Sequence, residues 1–277
     1  MKRIIKLSLL VVLASSIQLG CGSDVGGEPP LLAEGGKADL VRMGGPVRVM
    51  TWNIGRIYLD DMIVGWQSKA SDAALPQVAD TVRKWGVDLV VLQELADVTQ
   101  LDYLLEVLGE PWRGQIAYDS YGRYTALLTR LPLKGFFLNE TGTGRTMQGA
   151  IVYIGGKEVV AVAVHLDSSS AERRLKQVNQ VRKDLAAHER VILAGDFNFD
   201  IDSAFLKSED LQIYRRLTQQ WQMVDAAKGF ATSLLDQRLD YIFYRGAGLV
   251  DQKPAIVLEK RVSGGDHNAV IVKFELN

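Results

Sequence analysis

Arg48–Ile54 (RVMTWNI) alternates apolar and polar positions and is rich in β-formers, a period-two pattern that predicts a strand. Ala73–Trp85 instead spaces Leu75, Val78, Val82 and Trp85 three or four residues apart, which predicts a helix. Asp88–Leu92 is a nearly continuous apolar run, the pattern of a strand buried on both faces. Thr99–Leu108 reads as a second helix. Tyr124–Thr129, Gly149–Ile154 and Val159–His165 read as strands, with Gly155-Gly156 as the hairpin turn between the last two. Ala171–His188 predicts a long charged amphipathic helix, and Val191–Leu193, Leu239–Tyr244 and Ala269–Phe274 predict further strands. No fixed-period repeat and no break interrupts residues 47–277, so one domain is expected there. Runs of strands with interspersed helices predict an α/β fold of layered, mixed sheets.

The start of the chain follows another pattern. Met1–Lys6 carries three positive charges, and Leu7–Ile17 is an eleven-residue apolar run broken only by serines. That run is too short to span a bilayer and fits the core of a signal peptide, assigned to residues 1–20. Leu19-Gly20-Cys21 resembles the lipobox of bacterial lipoproteins, with Gln18 where an aliphatic residue is usual. Cys21 is the only cysteine, so no intrachain disulfide forms, and lipidation accounts for a lone thiol at this place. Residues 21–46, rich in Gly, Pro, Ser and acidic residues, read as the lipid-attachment cysteine and a flexible linker. The expectation is an exported, membrane-anchored lipoprotein of the cell envelope, with a secreted form, cut near Ser16, as the alternative.

Composition narrows the class. With 47% hydrophobic and 23% charged residues the chain is globular, which excludes disordered, collagen-like and disulfide-scaffold classes. Net charge is −1; without the first twenty residues Lys+Arg fall to 29 against 33 Asp+Glu, or −4. No global basic field holds nucleic acid, so such binding would need a local basic groove.

Candidate chemistry sits at the ends of the apolar runs. Asn53 closes RVMTWN, Gln93-Glu94 closes DLVVLQE, His165 closes VVAVAVH, and Asp196 and Asn198 close VILAGDFN. Asp240 lies in RLDYIF, and Asp266-His267 precedes AVIVKF. One such residue is usually a turn or cap, but ligands in α/β proteins gather at strand ends, so six such places point to one site. Carboxylates hold a hard divalent cation through oxygen, one near the attacking water positions or deprotonates it, and a histidine held by an aspartate donates to a phosphoryl oxygen. The set therefore suits hydrolysis at phosphorus. No H-E-x-x-H, cysteine cluster, Walker loop or G-x-S-x-G supports zinc, P-loop or serine-hydrolase chemistry.

TWN, LQE, HLDS, GDFN, RLDYIF and GDH occur in the order found in the endonuclease/exonuclease/phosphatase superfamily, which the chain resembles over residues 47–277. The resemblance implies a DNase I-like four-layer α/β sandwich, two mixed β-sheets face to face with helices outside and the site at one end. It implies Glu94 as principal metal ligand with Asn53 and Asp266 close to the metal, and Asp196 orienting or activating water with Asn198 beside it. It implies Asp240 holding His267 against the scissile phosphate, and His165 contacting phosphate or assisting the leaving group. Gly55 departs from those relatives that carry an aspartate there for a second metal. Arg174 is implied as a support of the loop after HL, whereas Arg173, Lys176, Arg182 and Lys183 read as a solvated helix face. Arg145 and Gln177 are further polar candidates without an assigned role. Tyr118, Tyr121, Arg123 and Tyr124 mix stacking and phosphate-binding types, and edge-strand packing is the expectation for them. Ile57–Trp66 reads as a loop after the first strand, with packing the expectation for Trp66.

The function expected is a divalent-metal-dependent phosphodiesterase, a nuclease in type, using Mg²⁺ or alternatively Mn²⁺ on nucleic acid, as a monomer. The alternative is a phospholipid or inositol-phosphate phosphoesterase, sphingomyelinase-like or 5-phosphatase-like, and a non-catalytic phosphate-binding module ranks below both.

Overall fold

The computed structural model describes residues 45–55, 58–59, 62–63, 69–119, 122–258 and 264–277. The signal peptide, Cys21, the linker up to residue 44, Tyr121 and most of Ile57–Trp66 lie outside the described residues.

The first sheet is built from β1 (Val47–Asn53), β4 (Leu89–Leu95), β5 (Arg113–Asp119), β6 (Arg123–Thr129), β13 (Leu249–Leu258) and β14 (Ala269–Leu276), in the order β13-β14-β1-β4-β6-β5. The second contains β7 (Leu133–Glu140), β8 (Thr146–Ile154), β9 (Lys157–His165), β10 (Val191–Asp196), β11 (Val224–Asp225) and β12 (Asp240–Arg245), in the order β11-β12-β10-β9-β8-β7. Both are mixed: β1 runs parallel to β4 and β9 parallel to β10, while the other pairings are antiparallel. A short ribbon, β2 (Tyr58–Leu59) with β3 (Met62–Ile63), stands apart from them.

Strand alternation sorts the side chains into layers. Val47 and Val49 join Ala161, Ala163, Ile192 and Ala194 in the core between the sheets. Met50 and Trp52 point the other way, against α1 (Leu75–Lys84) and α2 (Val98–Leu108) through Leu75, Val78, Leu101 and Leu104. The outer face of the second sheet packs Val160, Val162, Leu193 and Phe243 against α3 (Ala171–Asp184) and α4 (Ser208–Arg215). The result is the four-layer α/β sandwich expected. All three cores use residues between Val47 and Leu276, so the sandwich carries its own hydrophobic interior.

Two local details follow directly from sequence. Gly155 and Gly156 both take positive φ, 56° and 76°, in the two-residue loop between the paired Ile154 and Lys157. Ser170 caps α3, its hydroxyl accepting from the Arg173 N–H at 3.3 Å. That helix stops at Asp184, four residues short of the predicted end. The Arg245 guanidinium donates to the carbonyls of Leu185 and His188 beyond it, giving partners to carbonyls that helix continuation would have used. The pattern does not show strands β5, β7, β11 and β13. Each is an edge strand, and β13 contains Pro254 and an irregular register between Gln252 and Ile256, features tolerated at an edge.

Gly195 is the residue the architecture most needs to remain glycine. Its φ is +152°, and a Cβ there would collide with the carbonyl oxygen of Val164 on the neighbouring strand. Gly195→Ala is expected to cost on the order of 2–3 kcal/mol in urea unfolding, because the obstacle is backbone that has nowhere to move.

Candidate active site

Strand direction gathers the polar strand ends at one end of the sandwich. Asp196 pairs in register with His165 on β9 and with Asp240 on β12. Asn53 lies at the matching end of β1, beside Gln93 on β4. Across the gap between the sheets, Asn53 Nδ2 donates to Asp196 Oδ2 at 3.0 Å. Asn53 Oδ1 accepts from the Gly55 N–H at 3.0 Å, which fixes which end of the amide faces the carboxylate.

Asp196 is 1% exposed, and its other oxygen, Oδ1, accepts from the Asn198 N–H at 2.8 Å in an Asx turn. Asn198 takes a left-handed backbone, φ 53°, a conformation asparagine tolerates better than most residues, and its amide donates to the Leu166 carbonyl at 3.0 Å. The turn after β10 is thereby tied to the loop after β9.

Two histidines face Asp196. His267 Nδ1 lies 2.7 Å from Asp240 Oδ2, and its Nε2 is 4.0 Å from Asp196 Oδ2. The Trp52 indole N–H donates to the His267 carbonyl at 3.1 Å, anchoring the backbone from the first sheet. His165 Nδ1 lies 2.5 Å from Asp119 Oδ2, and its Nε2 is 3.7 Å from Asp196 Oδ2 and 3.9 Å from Glu94 Oε1. Asp240 accepts the Nδ1 proton of His267 and so leaves its Nε2 toward Asp196, whereas His165 Nδ1 lies between Asp119 and Arg145 Nη1, the latter at 3.2 Å.

Electrostatics differ between the pairs. Burial disfavours charge on His267, but Asp240, with Asp196 and Asp266, outweighs it and pushes the pKa up to about 10. Burial raises Asp240 in turn, despite His267. Burial also opposes ionisation of Asp119, yet His165 and the ion-paired Arg145 overcome it and hold its carboxyl below the ordinary range.

Glu94 stands on strained backbone. Its φ is 67°, and the register of β4 against β6 slips between Leu92 and Leu95, so the residue sits on a bulge that turns its side chain into the site. Its carboxylate pairs with Arg123. A Cβ on Gly55 would strike that carboxylate, which gives a physical reason for glycine where some relatives carry aspartate.

The residues fit a divalent cation by the chemistry of their donors. Glu94, Asn53 and Asp266 offer hard oxygen atoms and no sulfur, as Mg²⁺ and Mn²⁺ prefer. Burial lifts the Glu94 pKa above its usual value against the pull of His165, Arg123 and His267, so the carboxylate is short of positive charge that a cation would add. Among the described residues, Asp196, Asp240 and His267 bring one ligand atom each within 4.8 Å of one another. Because His267 Nδ1 is already committed to Asp240, we read the trio as a hydrogen-bonded His267–Asp240 pair facing Asp196 across 4.0 Å and not as a metal cage.

Asn53, Glu94, His165, Asp196, Asn198, Asp240 and His267 thus come together. Asp266 is half-buried beside His267; its carboxylate has no hydrogen-bond partner among the described residues, while its carbonyl accepts from the Leu234 N–H at 2.7 Å. Arg174 donates twice to Asp210 on α4 at 2.8 Å and once to the Asp167 carbonyl at 2.8 Å. Gln177 accepts from the Asp167 N–H at 2.9 Å, within the same loop support. Asp119 escaped the sequence reading because β5 has no long apolar run to mark its end. Arg123, expected in edge packing, instead pairs with Glu94. Tyr118 is 55% exposed and meets Tyr124 edge-on.

A search of curated protein sequences returns no match. Solved structures do share the fold. The endonuclease/exonuclease/phosphatase of Bacteroides vulgatus superposes with a TM-score of 0.67 at 19% identity, covering 84% of this chain and 100% of that one. D. rerio TDP2 complexed with single-strand DNA product gives 0.65 at 18% identity, covering 83% and 99%. The human Nocturnin catalytic domain with bound sulfate gives 0.61 at 17% identity, covering 84% and 95%. At the level of sequence, the model of the Endonuclease/Exonuclease/phosphatase family matches residues 50–267, a span that contains every side chain assembled at this end of the sandwich. The chain belongs to that family, whose members are in general divalent-metal-dependent phosphoester hydrolases.

Proposed function

We propose that this protein is a metal-dependent phosphodiesterase of the nuclease type. The observation that carries the reading is the position of Asp196 Oδ2, held by Asn53 and faced by two aspartate-oriented histidines. Fixed at both oxygens and nearly sealed from solvent, the Asp196 carboxylate is preorganised to take a proton from an attacking water. Protonated His267 donates through Nδ1 to Asp240 and through Nε2 to a phosphoryl oxygen placed between it and Asp196. Arg123 brings a further cation beside Glu94, and His165, held by Asp119 and Arg145, lies within reach of both Glu94 and Asp196 to contact the phosphate. Glu94, Asn53 and Asp266 would hold the cation, which neutralises phosphate charge and polarises the phosphorus. Nucleic acid is the substrate we favour, in keeping with the DNA product held by the TDP2 structure. A phospholipid phosphodiester is the second reading, favoured by Leu234 and Leu235, 38% and 74% exposed: the Leu234 N–H donates to the Asp266 carbonyl, and the preceding Ser233 bridges to His267.

Residues 22–277 should nick supercoiled plasmid with Mg²⁺ and lose the activity in EDTA. Asp196→Asn should lower the rate about 10²–10⁴-fold while thermal unfolding stays cooperative. Plasmid left intact by folded protein that cleaves sphingomyelin or an inositol phosphate would replace the nuclease reading with the second one.

The alkaline limb of the pH–rate profile should report His267. Its charged form is favoured by Asp240 and lost as pH rises through its pKa. Asp240→Asn removes the main support for that charge, so the limb should move to lower pH by more than one unit.

We propose in addition that the chain is exported and anchored through Cys21. Expressed in a bacterial host, the protein should enter the detergent phase of a Triton X-114 separation, and Cys21→Ala should move it to the aqueous phase.

A further inference from the structure

The end of the sandwich away from the candidate active site carries a concavity of about 570 Å³. It lies between the last turn of α3, the π-helical turn Arg216–Gln220 and the end of β12. Arg245 in its wall pairs with Val191 at the start of β10, whereas Asp196, at the other end of that strand, pairs with Asp240. At ~3.3 Å per residue the two ends are roughly 17 Å apart.

Arg182, Lys183, Arg216 and Arg245 line the concavity, and none of its lining residues is acidic. Among the described residues, none of the four forms an ion pair. Their partners are neutral: Arg216 donates to Asn179 Oδ1 at 2.5 Å, Arg182 to Gln220 Oε1 at 3.3 Å, and Arg245 to main-chain carbonyls while lying 5.1 Å above the Trp221 ring. The C-terminus of α3 offers these cations only about half a negative charge, far less than four. Burial without a carboxylate also holds Arg245 below its ordinary pKa. Two arginines held in place and two exposed cations around one hollow make a preorganised site for a phosphate-type anion.

Chain direction suggests the source of that anion. Strand β1 runs from Val47 toward Asn53 in the site, so the polypeptide enters the sandwich at the same end as the basic concavity. A lipid on Cys21, joined to Val47 through the linker, would tether the chain at this end without fixing its orientation, so a headgroup site here would do the orienting. We propose that the concavity binds the phosphate of anionic phospholipid headgroups and seats the domain with its candidate active site facing away from the membrane. Seated so, the enzyme works on soluble phosphodiesters and not on the lipids beneath it. The choice of lipid over other phosphates rests on the Cys21 reading; the site itself does not depend on the catalytic one.

The test uses residues 22–277, which contain all three cores and lack Cys21, in sedimentation with phosphatidylcholine vesicles with and without phosphatidylglycerol. Binding is expected only with phosphatidylglycerol and should weaken as salt rises. Arg182→Gln with Lys183→Gln should lower the partition coefficient at least about tenfold and leave plasmid nicking unchanged. No lipid-dependent binding, or equal binding by the double variant, would overturn the proposal. So would binding that survives the double variant but is lost in Leu235→Glu, which would seat the opposite end on the membrane. Glycerol phosphate that displaces the vesicles at micromolar concentration would make this a soluble-phosphate site, and loss of DNA affinity in the double variant would make it a nucleic-acid site; either result ends the membrane assignment.

Discussion

The hydrogen bond from Asn53 to Asp196 is the contact on which the site depends. It crosses from the first sheet to the second, so its 3.0 Å length holds only if the two sheets keep their spacing and alignment at that end. Small residues between the sheets set the spacing: Ala150, Ala161, Ala163 and Ala194 are all buried in the layer behind it. The alignment comes from parallel pairing of β1 with β4 and of β9 with β10, which brings the ends carrying Asn53, Glu94, His165 and Asp196 to one side.

Around that contact the protein concentrates charge in a place poor in water. Glu94, Asp119, Asp196 and Asp240 are largely buried, with Arg123 and Arg145 and two histidines to balance them. Each buried carboxylate that lacked a partner would cost several kcal/mol, so the arrangement persists because nearly every one is paired. Strain collects at the same end. Glu94 and Asn198 hold left-handed backbone, and Gly195 holds a conformation its neighbours forbid to a side chain. The dense cores on either side of each sheet are what make these local costs affordable.

The two ends of the sandwich have opposite character. The end formed by the finishes of β1, β4, β9 and β10 is rich in buried acids arranged around Asp196. The end where α3 stops presents cations that form no ion pair among the described residues, around a hollow. A net charge of −1 conceals this division, since summed charge carries no information about position.

Much of this was legible in the sequence. Central strands, buried on both faces, show as apolar runs, and each run ends in a polar residue that the fold brings to the candidate site: Asn53, Glu94, His165, Asp196. The Gly155-Gly156 turn and the helices at Leu75–Lys84 and Val98–Leu108 were equally plain, because local sterics and period decide them. Edge strands β5, β7, β11 and β13 were not, since a strand paired on one side and partly exposed needs no apolar signature. Asp119, at the end of edge strand β5, was missed for the same reason, whereas Arg123 heads the predicted strand β6 and was assigned to packing. They flank the turn between β5 and β6; the pairing of β6 with β4 carries Arg123 to Glu94, and the packing of one sheet on the other carries Asp119 to His165. Sequence by itself determined which residue types stand at the strand ends, because period and backbone sterics act over a few residues. Tertiary structure alone decided which of them meet, because contact across two sheets is set by packing between segments more than a hundred residues apart.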